Sequence, residues 1–303
     1  MSYLSERWVK TTLTRRTSSP LLKHLDQKPP RILYHYTSLE VLEKITRSGE
    51  IWASDIEFLN DSDEYVNAKK FIKQELEQRV EKNEKLRAMV HAHVGQIEHE
   101  LDHLDTYVTS FSTEADSLPQ WRGYCPNAQG VAIGFLPWAI KSAEFGPTKE
   151  DYERIDLQLL KCVYTPKEKR TLLDPHLDRF LELLDKHLGT DSLEPGRLLG
   201  TLTDACCPFF KNESFSEERE WRLSVRCWDR NSPPREFHIG RSTIIPHLKG
   251  NLKKNYSLDF IKEVVIGPTP NQALAYMGVK TLLNRRDLSR VEVRNSHIPY
   301  RTW

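Results

Sequence analysis

No apolar run in this chain of 303 residues approaches the roughly 20 residues that a membrane span needs. Residues Met1 to Trp8 lack the basic-then-apolar pattern and the small-residue cleavage site of a secretory signal. Cysteine is sparse: there are five, without metal-like spacing, and Cys206 and Cys207 are adjacent in an apolar run. Such cysteines read as small hydrophobes in a reducing compartment. The expected setting is cytoplasmic, without a disulfide framework and without a membrane partner. Excess charge is also lacking: 44 Lys and Arg face 43 Asp and Glu, for a formal net charge of +1. That balance exerts no global pull toward nucleic acid. Lys253-Lys254 and Arg285-Arg286 read as solvated faces, with a local basic patch as the alternative. There is no glycine loop of the kinds that cradle phosphates and no serine elbow, which argues against P-loop NTPases, simple dinucleotide dehydrogenases and α/β-hydrolases. Internal repeats and low-complexity segments are missing too.

What is present describes an ordinary soluble protein, with 29% charged and 38% hydrophobic residues and length enough for a large core. Residues 1–30 are polar and basic and end in Lys28-Pro29-Pro30; they read as an arm that docks elsewhere or stays loose. Residues 31–303 read as a single domain. Arg31–Tyr36 is β-prone, and Ser38 to Ser48 carries Leu39, Leu42 and Ile45 on one helical face, with Ser38 as N-cap and Gly49 as stop. Ile51-Trp52-Ala53 reads as a short strand. A charged helical insertion covers 63–105, with Ile72, Leu76 and Val80 as its apolar stripe. Strands are expected at Tyr107–Ser112, Gly130–Phe135 and Lys161–Tyr164, with Trp121 and Tyr124 in the loop between the first two. A second helical insertion covers 170–210. A strand opens at Glu220, a polar connection runs through Pro233-Pro234, and Val264–Ile266 is a buried strand. A helix over Gln272–Asn284 and a strand at Val291–Arg294 close the chain. Strands and helices alternate irregularly, which argues for an α+β fold rather than a doubly wound sheet.

Four segments are rich in residues suited to a site. In Glu218-Arg219-Glu220, strand alternation would point both carboxylates one way, where each raises the pKa of the other. Such a pair suits chemistry that stabilises a developing cation and accepts a proton; a solvated loop-to-strand junction is the plain alternative. Tyr34-His35-Tyr36-Thr37 puts a histidine at a strand end beside a helix N-terminus, where it can meet a ribose hydroxyl or simply be satisfied by backbone. Leu59-Asn60-Asp61-Ser62-Asp63-Glu64 suits a turn and an N-cap. Ser110-Phe111-Ser112, with Asp116, Gln120, Trp121, Arg122 and Tyr124, forms either a platform for a flat heterocycle or an aromatic plug for one end of the core. His91, His93, His99 and His103 make a histidine-rich stretch that a solvated helix explains as well as a metal does.

The order of these segments resembles a widespread bacterial family catalogued as a domain of unknown function, DUF2971. The marks are Tyr34–Thr37, Trp52, Leu59-Asn60-Asp61 with Glu64, Ser110–Ser112, Gln120–Tyr124, Gly130–Phe135, Phe215–Arg222, Ile266-Gly267-Pro268 and Ser296–Arg301, spanning roughly residues 31–301. A second, weaker resemblance is to ADP-ribosyltransferases. It implies a split, bent mixed β-sheet with flanking helices that holds NAD, as substrate, in a cleft. By that resemblance His35 holds a ribose of NAD with Thr37 assisting, and Tyr36, Trp52 or Tyr124 stacks on the nicotinamide. Glu220 stabilises the oxocarbenium ion as nicotinamide leaves, and Glu218 orients or deprotonates the acceptor. Asn60, Ser110, Ser112, Trp121 and Arg222 complete the expected NAD-binding set. The sequence departs from the superfamily in carrying His35 where members with a Glu-X-Glu pair carry arginine, and it has no clear middle-motif tyrosine.

The reading these features favour is an NAD-using ADP-ribosyltransferase-like enzyme, a bacterial toxin or phage-defence effector. It would modify protein or nucleic acid or hydrolyse NAD, under the control of an antitoxin or other regulatory partner. The first rival is a non-catalytic module that binds nucleotide or nucleic acid, with Trp121, Tyr124 and Arg222 stacking and pairing. The second is a metal-dependent nuclease built on Asp61, Glu64, Glu218 and Glu220.

Overall fold

Every residue of the strand Glu220–Cys227 is buried, although its sequence alternates charged and apolar side chains. Alternation sends Trp221, Leu223, Val225 and Cys227 to one face and Glu220, Arg222, Ser224 and Arg226 to the other. The first set enters the larger apolar core. The second faces a layer of helices, so its charges are compensated inside the protein. This strand is the spine of a mixed α+β fold with a large, open sheet flanked by helices, as the computed structural model shows. The described residues are 19–59, 63–100, 105–125, 129–148, 155–187, 192–227, 234–240, 242–252 and 258–299.

In chain order the elements are α1 (Pro20–Leu25), β1 (Leu33–Thr37), α2 (Leu39–Ser48), β2 (Glu50–Asp55), α3 (Asp63–Val80), α4 (Glu84–Glu100), β3 (Asp105–Ser112) and α5 (Leu118–Tyr124). They continue with β4 (Val131–Phe135), α6 (Pro137–Lys141), β5 (Glu144–Phe145), β6 (Ile155–Lys161), α7 (Pro166–Lys186), α8 (Glu194–Cys206) and β7 (Glu220–Cys227). The last are β8 (Glu236–Ile239), β9 (Ile244–Asn251), β10 (Ile261–Ile266), α9 (Gln272–Arg285) and β11 (Glu292–Asn295).

The sheet runs β11-β10-β4-β1-β3-β2-β9-β5, with β7 also on β3, β6 on β7 and β8 on β9. Among the described strands only β10 and β11 pair in parallel. β3 is the branch point. β7 lies antiparallel along its whole length. Beyond β7, β3 is paired with β1 at Tyr34↔Ser112 and with β2 at Ser54↔Val108 and Asp55↔Tyr107. The sheet is therefore forked where β1 and β2 part.

Local signals explain most elements. Ser38 Oγ accepts from Val41 N, and Gly49 closes α2 at φ 76°, a left-handed conformation that costs glycine little. Ile72, Leu76 and Val80 are buried, and they share one apolar core with α7, α8 and Val108 of β3. Both helical insertions expected from periodicity are thus helical pairs, α3/α4 and α7/α8. In residues 1–30 the described part is docked: α1 buries Leu21 and Leu22 in that helical core.

Three expectations are corrected. Trp121 and Tyr124 stand on a short helix, not in a loop. The strand placed at Lys161–Tyr164 lies earlier, at Ile155–Lys161, leaving a single bridge from Val163 to Phe210. The stretch after Pro234 contains the β8–β9 hairpin, whose histidines and Pro246 break the alternation that marks a strand.

Candidate functional site

Glu218 and Glu220 do converge, but strand alternation is not the cause. Glu218 ends a 3-10 turn over Glu213–Glu218, Arg219 adopts φ 45° and ψ 48°, and only Glu220 belongs to β7. The left-handed residue reverses the chain between the two glutamates. Arg219 itself turns outward to pair with Glu114 at 2.6 Å.

The two carboxylates close on a lysine. Lys211 Nζ lies 2.6 Å from Glu218 Oε2 and 2.8 Å from Glu220 Oε2, and its side chain is 0% exposed. On the far side of Glu220, Arg222 donates from Nε to Oε1 at 2.7 Å and from Nη2 to Oε2 at 3.2 Å. Its Nη1 reaches the carbonyl of Pro208 at 3.1 Å. Burial alone raises the Glu220 pKa, but Arg222 and Lys211 outweigh it and hold the carboxyl at about 2. For Lys211, burial works against the charge, while Glu220 leads the groups that raise its pKa above the ordinary lysine value. The expected mutual raising of two neighbouring carboxylates is therefore overturned at Glu220 by the cations around it.

Glu218 is the more open of the two, 12% exposed against 2% for Glu220. Tyr124 Oη donates to it, 3.2 Å from each carboxylate oxygen. Its backbone carbonyl accepts from Ser112 Oγ at 2.8 Å and Gln120 Nε2 at 3.4 Å. The Glu220 amide donates to Tyr164 Oη at 2.7 Å.

His35 approaches from the fork in the sheet. Its Nδ1 is 3.0 Å from the carbonyl of Ser110. A carbonyl can only accept, so Nδ1 carries the proton and Nε2 presents a lone pair. Burial lowers the His35 pKa against the smaller opposing effect of that bond, so the ring is neutral at pH 7.

These groups share one small open cleft of about 40 Å³, lined by His35, Tyr36, Ser110, Tyr124, Glu218 and Glu220 together with Tyr34, Phe111 and Gln120. Six expected site residues thus meet in one place. The others among the described residues do not line it. Ser112 and Arg222 support it from behind, through the Glu218 carbonyl and the Glu220 carboxylate. Thr37 is buried at the end of β1. Trp121 is enclosed, with Nε1 donating to Asp116 at 2.8 Å and the Tyr36 ring packed edge-on at 4.6 Å, so it is core rather than a stacking platform. Trp52 stacks on His247 at 4.2 Å. Asn60 and Asp61 lie outside the described residues.

The residue that sequence reasoning missed is Lys211. Its only signal is that it ends the apolar run Cys206–Phe210, which says nothing of two glutamates converging on it. The Lys211 ammonium also fills the space between Glu218 and Glu220 that a metal would need. Among the described residues no three His, Cys, Asp or Glu side chains are gathered to hold a metal ion. Also among them, all five cysteines are free and buried, and no helix is long and apolar enough to cross a membrane.

Residues 120–223 match the model of a family described as a protein of unknown function, DUF2971, and the resemblance read from the sequence is shown over that segment. The match runs from Gln120 on α5 through Lys211, Glu218, Glu220 and Arg222, and it does not include His35. No curated protein and no solved structure matches the chain.

Proposed function

We propose that the cleft receives the nicotinamide ribose of NAD and that the protein transfers ADP-ribose, with Glu218 as the carboxylate that meets the reacting sugar. One observation carries this reading: His35 and the Glu218/Glu220 pair, 183 residues apart at the least, line one cleft at the fork of the sheet. The polar groups there suit a sugar. His35 Nε2 accepts from one ribose hydroxyl and Glu218 from another, while Tyr124 offers its ring at the wall. The cleft is small beside the ~150 Å³ cavity that takes a benzene ring, so it fits the hydroxyl edge of the ribose and leaves the base and the rest of NAD at its open mouth.

In the reaction the bond from ribose C1′ to the nicotinamide nitrogen breaks, and its electron pair leaves with nicotinamide. Positive charge then develops on the ribose, next to the Glu218 carboxylate. An acceptor hydroxyl, amine or water adds to C1′, and its proton passes to Glu218. Glu220 has a different role from the one expected for it. Its charge is spent on Lys211 and Arg222, so it fixes Lys211, which in turn orients Glu218. In this reading the acceptor is a protein, a nucleic acid or water, and the biological setting is a toxin or defence effector.

To test the proposal, the chain is incubated with NAD labelled in its nicotinamide ring, and released nicotinamide is followed in wild type and Glu218→Gln. Equal turnover removes Glu218 from the chemistry; absence of NAD binding at millimolar ligand removes the whole class.

A second reading rests on the same ion pairs. A carboxylate neutralised by both lysine and arginine suits a site that binds a nucleotide without reacting. Calorimetric heat from NAD with no nicotinamide released would select it.

A further inference from the structure

Two residues of the cleft, Gln120 and Tyr124, stand on α5. This helix has only 7 residues, and its N-cap, Ser117, makes no side-chain capping bond. So short a helix does not hold itself, and its orientation is set by what anchors it. The anchors lie in the loop before it. Asp116 Oδ1 accepts from Trp121 Nε1 at 2.8 Å and from Ser296 Oγ at 2.6 Å, and Oδ2 accepts from the His297 amide at 2.8 Å. Trp121 is the enclosed residue of α5, whereas Ser296 lies just past β11, 180 residues along the chain from Asp116. One half-buried carboxylate therefore ties the helix to the C-terminal segment, through bonds strengthened by its charge.

That segment is itself fixed to the sheet. The Ser296 amide donates to the Ile266 carbonyl at the end of β10 at 2.7 Å, and the Ser296 carbonyl accepts from Gln272 Nε2 of α9 at 3.4 Å. Ile298 then packs on the cluster of Tyr34, Tyr36 and Trp121 that Tyr124 also joins. From the cleft side Tyr36 brackets the same loop: its hydroxyl donates to the Glu114 carbonyl at 2.8 Å and accepts from the Ser117 amide at 3.0 Å.

We infer that Asp116 is a positioning residue for the cleft, and that residues 296–298 act through it as the outer support of α5. The contacts run from Ser296 and His297 through Asp116 and Trp121 to Tyr124, whose hydroxyl donates to Glu218 at 3.2 Å from each carboxylate oxygen. From the same helix Gln120 reaches the Glu218 carbonyl at 3.4 Å. The role rests on Glu218 being the carboxylate that meets the sugar, as proposed above. Misplacing a reacting group by about 1 Å costs about 10²-fold in rate, so a contact that never touches substrate governs turnover more than binding.

Two substitutions in the full-length protein test this. Ser296→Ala removes one donor to Asp116 and the acceptor of the Ile298 amide without altering α5 or the cleft. Asp116→Asn turns an N–H toward a position now occupied by a donor. Hydrogen exchange read by mass spectrometry should quicken at least ~10-fold in the peptide covering α5 in both variants, with β7 unchanged. With NAD as substrate, kcat should fall about 10–100-fold while KM stays within about twofold. In a Glu218→Gln background Ser296→Ala should cost no further turnover, because both changes act on one carboxylate; a general loss of stability would lower both enzymes alike. Unchanged exchange in α5, an effect confined to KM, or additive losses would overturn the positioning role. If the wild type releases no nicotinamide, the transfer reaction falls, and exchange in α5 alone then decides whether Asp116 couples the C-terminal segment to the cleft.

Discussion

Lys211 Nζ stands 2.8 Å from Glu220 Oε2, with the lysine side chain wholly enclosed. With Arg222 and Glu218 the cluster holds two cations and two anions, so the buried charges cancel locally. Such a cluster adds little net stability over an apolar replacement of the whole set, but removing one member leaves an uncompensated charge. Lys211→Met should therefore destabilise the chain by about 3–5 kcal/mol, measured by urea unfolding. A loss below ~1 kcal/mol would mean that water reaches the cluster and screens it.

The same geometry separates the two glutamates by experiment. Glu218→Gln keeps a side chain that still accepts from Tyr124, and Lys211 keeps Glu220. It should cost less stability than Glu220→Gln, because Glu218 is the more open of the two, and lose nicotinamide release by about 10²–10⁴-fold. Glu220→Gln strips Lys211 and Arg222 of their shared partner and should show its main effect in stability. Melting temperature and turnover, measured side by side, distinguish these outcomes; the reverse pattern would return the chemistry to Glu220.

Acid should expose Glu220 directly. Its carboxyl titrates at about 2 when folded, against an ordinary 4.5, so the unfolded chain binds more protons between those values. The stabilisation is complete above pH 4.5 and drains away as pH falls toward 2. In Glu220→Gln the unfolding free energy should start lower and fall less steeply across that window. Equal slopes in urea titrations at pH 5, 4 and 3 would show that other carboxylates set the acid limb.

How much of this could be read from the chain depends on where each signal resides. Ser38, Gly49 and the Ile72/Leu76/Val80 stripe act within one helix, so their meaning is local and legible. His35 and Glu218 could be nominated because strand ends beside polar runs tend to be sites. Which glutamate is open could not be, because Lys211 and Arg222 reach Glu220 only through the tertiary fold. Trp52 and Trp121 show the same limit, since an exposed stacking ring and a buried core ring have one sequence. The turn at Arg219 was hidden for another reason: a non-glycine residue with positive φ carries no mark in the sequence.

That turn makes its own prediction. Arg219 holds a left-handed conformation that costs an L-residue roughly 1 kcal/mol or more, and its pairing with Glu114 is exposed at 65% and 40%, where such pairs contribute little. Arg219→Gly should leave stability unchanged or raise it by up to ~1 kcal/mol. Arg219→Val, branched at Cβ, should lower it by ~1–3 kcal/mol. If glycine destabilises by more than ~1 kcal/mol, the Glu114 pair contributes more than its exposure suggests.

Gly130 offers the sharpest contrast between two glycines of one chain. A Cβ placed there would lie 2.3 Å from the Thr37 carbonyl oxygen and 2.7 Å from Cys125 Sγ. The first of these is backbone at the end of β1, the strand that carries His35, and it cannot turn aside as a flexible side chain would. Gly130→Ala must push β1 and β4 apart where Thr37 pairs with Val131, so it should destabilise by at least ~1–3 kcal/mol and disturb the cleft. Gly278, within α9, has open space where a Cβ would stand, with no such atom within 4 Å. There alanine only removes the helix penalty of glycine, and Gly278→Ala should stabilise by about 0.5–1 kcal/mol. Urea unfolding of the two variants gives opposite signs if β1 and β4 pack as closely as the Thr37 contact requires. A neutral Gly130→Ala would show that the end of β1 yields, and with it the rigidity of His35.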